Sequence, residues 1–354
     1  MRNINNSIMV RVRRQRDNAF GFLKEVTIQR HYMHVILGTI ILLCIASYHI
    51  LLRHEEKNFA IMVAAHSAKA LSHKPHLIYG TAWKKEDTAK YVAQAVKAGF
   101  RFIDTACQPK HYNEPGVGNG WTAAAQELGL VRSDLWLQTK FTSYDGQDPN
   151  NCPYNPKDSI ETQVRTSLQT SLKNLHTDYL DSWVMHSPYR TMEDTLRAWK
   201  TMEEAVDQGV VRQLGMSNCY SLEFFEEFYQ QVRHKPAVLQ NRFYADSDFD
   251  TDLRKFCKEH GIHYQSFWTL GANRRALHNP AVRDGANKFG LTPETYMFAF
   301  LMSLGYINPL SGTTSELHMA QDVAIMERMQ GGEVFFKDEM ELRRFAKILG
   351  MPDL

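Results

Sequence analysis

Asp104, Lys140 and His186 each close a short apolar run: Ile103-Asp104-Thr105-Ala106, Leu137-Gln138-Thr139-Lys140 and Val184-Met185-His186-Ser187-Pro188. A carboxylate, an amine and an imidazole gathered at one point tune a neighbouring hydroxyl for proton transfer. The carboxylate keeps the amine charged, the amine lowers the hydroxyl's pKa, and the imidazole orients a polar group through a hydrogen bond. Ionisable groups at the carboxyl ends of successive buried strands are the way a βα-barrel builds an active site. The pattern predicts an enzyme. Each residue also has a plainer reading, as a loop cap, a rim lysine and a core histidine respectively.

Positioning such groups requires the elements around them to alternate. Strand candidates run over His76-Gly80, Phe100-Asp104, Leu135-Thr139, Tyr179-Met185, Gln213-Met216, Ala237-Gln240, Ile262-Phe267 and Tyr306-Leu310. Helical patterns lie between them, at Thr88-Lys97, Ile160-Leu175, Met192-Val206, Leu222-Val232 and Asp250-Glu259. Ile160, Val164, Leu168 and Leu172 draw one apolar stripe, with Asp158 or Ser159 as its cap. Asn279-Pro280 and Thr292-Pro293 read as further helix starts. Short apolar strands alternating with amphipathic helices predict an α/β chain folded as a (β/α)8 TIM barrel over residues 76–350. Gly116-Val117-Gly118-Asn119-Gly120 lacks the register of a dinucleotide fingerprint and reads as a turn opening a helix. The polar stretch from Phe141 to Lys157 reads as an ordered loop over the barrel mouth.

The chain has 354 residues, 44% of them hydrophobic, which suffices for one barrel of about 250 residues and its core. A net charge of +2 gives no general attraction to nucleic acid. The five cysteines form no CxxC pair, so neither a metal site nor disulfide stapling is expected.

The first 75 residues differ in kind. Met33 to Leu52 carries no formal charge and, at about 1.5 Å per residue, just crosses a hydrocarbon core of about 30 Å. The reading is a basic tail at 1–32, a single transmembrane signal-anchor helix at 33–52 in contact with a lipid bilayer, and a linker at 53–75. Arg2, Arg11, Arg13, Arg14, Arg16, Lys24 and Arg30 before the span favour a cytoplasmic amino terminus and a translocated barrel. Against that direction stand the unpaired cysteines and the lack of an Asn-x-Ser/Thr site from His76 onward. The expected location is a single-pass endomembrane such as the ER or Golgi. An arginine-rich mitochondrial presequence with an inner-membrane anchor is one alternative, and a buried or interfacial helix another.

Several further strings make the chain similar to a known family. Gly80-Thr81-Ala82-Trp83, Gly99-Phe100-Arg101-Phe102-Ile103-Asp104-Thr105-Ala106, Thr139-Lys140, His186-Ser187-Pro188, Gly215-Met216-Ser217-Asn218 and Gln240 occur in the order and spacing of the aldo-keto reductases. From about Leu77 to Lys347 the chain resembles that family of NADPH-dependent (β/α)8 barrels, which reduce carbonyls. The resemblance implies a small-molecule carbonyl substrate and gives Asp104, Lys140 and His186 the roles described. Their partner is a tyrosine acid, and here the chain departs from the family. The family's tyrosine column falls on His111, with Tyr112 one place on and Pro109 reshaping the turn. Tyr112 is taken as the proton donor and His111 as its rival.

By the same resemblance, Ser217, Asn218 and Gln240 hold the nicotinamide carboxamide, while Phe267 stacks on the ring, with Trp268 as a substitute. Leu270 lies along the pyrophosphate, Gly80 and Thr81 touch the cofactor, and Trp83, His111 and Trp268 line the substrate pocket. Ser311, Gly312, Thr313, His318 and Asp322 meet the adenosine end. His318 stands there where arginine is usual and Asp322 where asparagine is, so NADPH is expected with NADH as an alternative. The expectation is a membrane-anchored carbonyl reductase; the alternatives are a catalytically weak cofactor-binding regulatory barrel tied to a membrane partner, or a non-redox barrel.

Overall fold

A computed structural model describes residues 76–351 and 353–354. The tail, span and linker read at 1–32, 33–52 and 53–75 lie outside the described residues. Among the described residues no helix is long and apolar enough to cross a membrane.

Eight parallel strands, β1 (Ile78–Gly80), β2 (Phe102–Asp104), β3 (Trp136–Phe141), β4 (Ser182–Met185), β5 (Leu214–Ser217), β6 (Val238–Arg242), β7 (His263–Phe267) and β8 (Ile307–Ser311), close in sequence order into one barrel, with β8 returning to β1. The helices that follow them are α1 (Thr88–Ala98), α2 (Glu114–Leu128), α3 (Ile160–Asn174), α4 (Met192–Asp207), α5 (Leu222–Gln231) and α6 (Thr251–His260). The β7–β8 crossover contains α7 (Thr269–Ala272), α8 (Arg274–Leu277), α9 (Pro280–Lys288) and α10 (Pro293–Ser303). Beyond β8 lie α11 (Glu316–Gln330) and α12 (Glu339–Leu349).

The helix starts are set by capping side chains. Asn113, Ser159, Thr191, Ser221, Thr292 and Ser315 each accept a bond from a backbone N–H in the first turn of their helix. That bond satisfies one of the donors a helix start leaves orphaned. Pro280 and Pro293 open α9 and α10 as the sequence anticipates, because the missing N–H of a first-turn proline is not needed there.

Gly116, Gly118 and Gly120 do not form the expected turn; they lie inside α2. A Cβ at Gly118 would sit 2.0 Å from the Asn174 carbonyl oxygen, and one at Gly120 2.5 Å from that of Ala89. The glycines let α2 pack backbone-to-backbone against both α3 and α1. Trp121 seals the α3 contact, donating from Nε1 to the Leu175 carbonyl at 2.8 Å.

The loop after β3 is ordered, as expected. Gln147 Nε2 donates to the carbonyls of Cys107 and Thr142, and the Tyr154 hydroxyl donates to the Thr142 carbonyl at 2.7 Å. This ties the β2 and β3 loops into one rim.

Candidate active site

Asp104 ends β2, Lys140 lies near the end of β3, and His186 directly follows β4. Adjacent strands in register bring all three to the carboxyl rim. Asp104 and Lys140 form a fully buried pair: Lys140 Nζ donates to Asp104 Oδ1 at 2.8 Å and Oδ2 at 2.6 Å, and to the Thr105 carbonyl at 2.9 Å. Burial lowers the Lys140 pKa from its ordinary value, opposed by the Asp104 carboxylate.

Beneath the pair lies a polar belt that the sequence analysis missed. Gln138 on β3 and Gln240 on β6 each donate to Asp104 Oδ1, at 2.8 and 3.0 Å. Both also donate to Gln265 Oε1 on β7, and Gln265 returns a bond to Gln138. Asp104 stands opposite Gln138 in the β2–β3 register, and Gln240 opposite Gln265 in the β6–β7 register. Barrel interiors are usually filled by branched apolar residues. Here carboxamides from three strands hold one carboxylate in place. Gln240 was read as a carboxamide holder; its Nε2 is spent on this belt.

His186 is half-buried beside Lys140, and its Nδ1 lies 2.7 Å from Thr142 Oγ1. Burial first, then the charges of Lys140 and His111, pull its pKa down to about 3, so the ring is neutral at physiological pH. Its carbonyl accepts from Asn218 Nδ2 at 2.8 Å.

The two rival acids part company. Tyr112 packs against the catalytic cluster, with Lys140 Nζ 5.2 Å from its ring centre and the His186 ring edge-on at 5.9 Å. Its hydroxyl carries no hydrogen bond among the described residues, and burial, then the Asp104 charge, raises its pKa. His111 lies on Trp83, ring centres 3.9 Å apart, with the Trp83 backbone N–H donating to the His111 carbonyl. Both residues hang from one turn, their N–H groups donating to the Gln108 carbonyl. A cavity of about 470 Å³ opens beside them, lined among others by Trp83, Gln108, Pro109, His111 and Tyr112.

A groove, also of about 470 Å³, runs along the ends of β7 and β8 and contains Trp268, Leu270, Ser311, Gly312, Thr313, His318 and Asp322. Trp268, expected both as a substitute for Phe267 on the nicotinamide ring and in the substrate pocket, lines this groove and not the cavity beside Trp83 and His111. It is 57% exposed, has a left-handed backbone (φ 58°), and carries the Arg242 guanidinium 4.1 Å above its ring. Phe267, half-buried, closes β7 beside it. Thr81 is buried, bonding the Asp104 carbonyl through both N–H and hydroxyl, and Gly80 pairs with Asp104 in the register. Ser217 Oγ donates to the Gln240 carbonyl at 2.6 Å.

Two cations flank this groove and would meet the diphosphate of a dinucleotide. Lys84, buried in the β1–α1 loop, donates from Nζ to the Gly312 carbonyl at 2.9 Å. Burial lowers its pKa to about 8. Neither Lys84 nor Arg242 forms an ion pair with a carboxylate among the described residues. Buried or stacked cations without a carboxylate suit a diphosphate. The start of α11, capped by Ser315, faces the same loop and adds N–H donors. The sequence gives Lys84 only one signal, its place beside Trp83, and Arg242 none.

Comparison with known proteins agrees with this geometry. Residues 76–330 match the model of the aldo/keto reductase family. Over 270 residues the chain is 27% identical to the methylglyoxal reductase DkgA of Salmonella typhimurium, covering 75% of this chain and 86% of that protein. The structure superposes on an aldo/keto reductase from Brucella melitensis with a TM-score of 0.63 at 23% identity, covering 77% of this chain and 94% of the other. It superposes with a TM-score of 0.62 at 22% identity on an aldo-keto reductase of the silkworm Bombyx mori complexed with NADPH, covering 77% and 83%. The chain therefore belongs to the aldo/keto reductase family.

Proposed function

We propose that this protein is a membrane-tethered reductase of small aldehydes and ketones in which Tyr112 gives the proton. The observation that carries this reading is the packing of the Tyr112 phenol between the Lys140 ammonium and the neutral His186 ring. When bound, NADPH supplies the hydride to the carbonyl carbon. The chain's own residues handle the oxygen. With the Thr142 hydroxyl donating to His186 Nδ1, the ring's Nε2 carries the proton and orients the carbonyl by a hydrogen bond. The Tyr112 hydroxyl then delivers its proton to the developing alkoxide, and the nearby Lys140 charge stabilises the phenolate left behind. Asp104, clamped by Gln138 and Gln240, keeps Lys140 in place.

The methylglyoxal reductase among the relatives supports small reactive carbonyls as substrates. The tether rests on the uncharged run at 33–52, with an endomembrane as its site. One observation favours a second reading, a cofactor-binding barrel with weak catalysis. All three Lys140 N–H bonds go to Asp104 and Thr105 rather than to the tyrosine hydroxyl.

Two forms of the chain test both parts. The full chain, expressed in cells, is expected in the membrane fraction and to resist carbonate extraction, whereas a chain starting near Lys57 is expected in the supernatant. The purified shorter chain is expected to oxidise NADPH when a nitrobenzaldehyde is added. Fluorescence quenching of NADPH without oxidation supports the binding barrel, and full extraction by carbonate removes the tether.

A further inference from the structure

We infer that the adenosine end of the groove does not select for a 2′-phosphate, so that this protein binds NADH about as tightly as NADPH. The inference rests on the reading of this groove as a dinucleotide site. A 2′-phosphate adds charge and is ordinarily gripped by an arginine or lysine, whereas a ribose 2′-hydroxyl is ordinarily met by a carboxylate. This groove is built for the second case. Among the described residues that line it there is no lysine or arginine, while two carboxylic acids do line it, Glu294 and Asp322.

Asp322 is only 4% exposed, and the Ser311 hydroxyl donates to its Oδ2 at 2.6 Å. Ser311 closes β8 and Asp322 lies within α11, so the pair is fixed by two rigid elements and does not swing aside. Burial pushes the Asp322 carboxyl up to about 7. A phosphate placed against it either meets a like charge or forces the carboxyl to take up a proton, and both outcomes weaken binding. A hydroxyl suits either form of the carboxyl.

The cations near the groove stand at its flanks. Lys84 reaches it only through the Gly312 carbonyl, with Nζ 5.0 Å from the Tyr79 ring centre, and Arg242 lies over Trp268 at the β7 end. They serve the diphosphate, which both dinucleotides possess, and so raise the two affinities alike.

The test is a titration of the purified protein with NADH and with NADPH, followed by quenching of its tryptophan fluorescence at several salt concentrations. The two dissociation constants are expected within about threefold of each other, with equal salt slopes. NADPH binding about tenfold or more tighter overturns the inference. His318→Arg, which adds a cation on the exposed first turn of α11, is expected to tighten NADPH about fivefold or more and leave NADH unchanged. An equal change for both dinucleotides overturns the placement of the adenosine 2′ position. Quenching by neither overturns the dinucleotide reading itself, and is thereby distinguished from a failure of selectivity alone.

Discussion

Lys140→Met is expected to lower kcat about a thousandfold while dinucleotide affinity changes less than about threefold. The ammonium is buried against Asp104 and 5.2 Å from the Tyr112 ring centre, so its charge acts on the phenolate that forms as the proton leaves. Without it, a phenol whose pKa is already raised by burial and by Asp104 becomes a still weaker acid. The variant is expected to fold. Removing one partner of a buried ion pair costs about 3–5 kcal/mol when the other charge is stranded. Here Gln138 and Gln240 still donate to Asp104, and a neutralised carboxyl needs no counter-ion. Tryptophan quenching by NADPH and a steady-state assay on the same sample separate binding from turnover. Wild-type kcat in Lys140→Met contradicts the proton-transfer role.

Among the glycines of the described residues, Gly118 is the one where an added methyl group is expected to do most damage, as Gly118→Ala. In an exposed helix such a change gains about 1 kcal/mol of helix propensity. At this site the new Cβ meets the Asn174 carbonyl oxygen at 2.0 Å and the Leu175 Cα at 3.1 Å, both backbone atoms without a rotamer to change. Helices α2 and α3 must separate, which strains the Trp121–Leu175 bond and the 3.0 Å bond from Asn174 Nδ2 to Glu114. Overpacking of this kind costs about 3 kcal/mol, more than the propensity gain. Thermal unfolding of the barrel is expected to fall by roughly 6 °C or more. An unchanged or raised Tm shows that the helices are not in contact there.

The residues that revealed the barrel were those with a period and a terminus. Apolar runs ending in Asp104, Lys140 and His186 marked strand ends, and Ser159 and Thr292 marked helix starts, because capping is a local interaction. The α2 glycines misled for the same reason. Three glycines within five positions look like a turn when only local preference is weighed, and their purpose, close approach to Ala89 and Asn174, lies in other elements. Gln138 and Gln265 were illegible because a glutamine in an apolar strand carries no motif, and even for Gln240, marked by the family resemblance, the partners depend on which strands become neighbours. Tyr112 and His111 differ by one position, and a one-residue choice inside an inserted turn depends on the backbone that Pro109 bends.

The most direct measurement is the single-turnover rate of carbonyl reduction in Tyr112→Phe and His111→Gln, each preloaded with NADPH. Tyr112→Phe is expected to lose about a hundredfold or more of the rate, and His111→Gln to stay within about threefold of the native protein, with no break in its pH profile near 6 to 7. The reverse pattern, with turnover intact in Tyr112→Phe and lost in His111→Gln, would contradict the account at its centre.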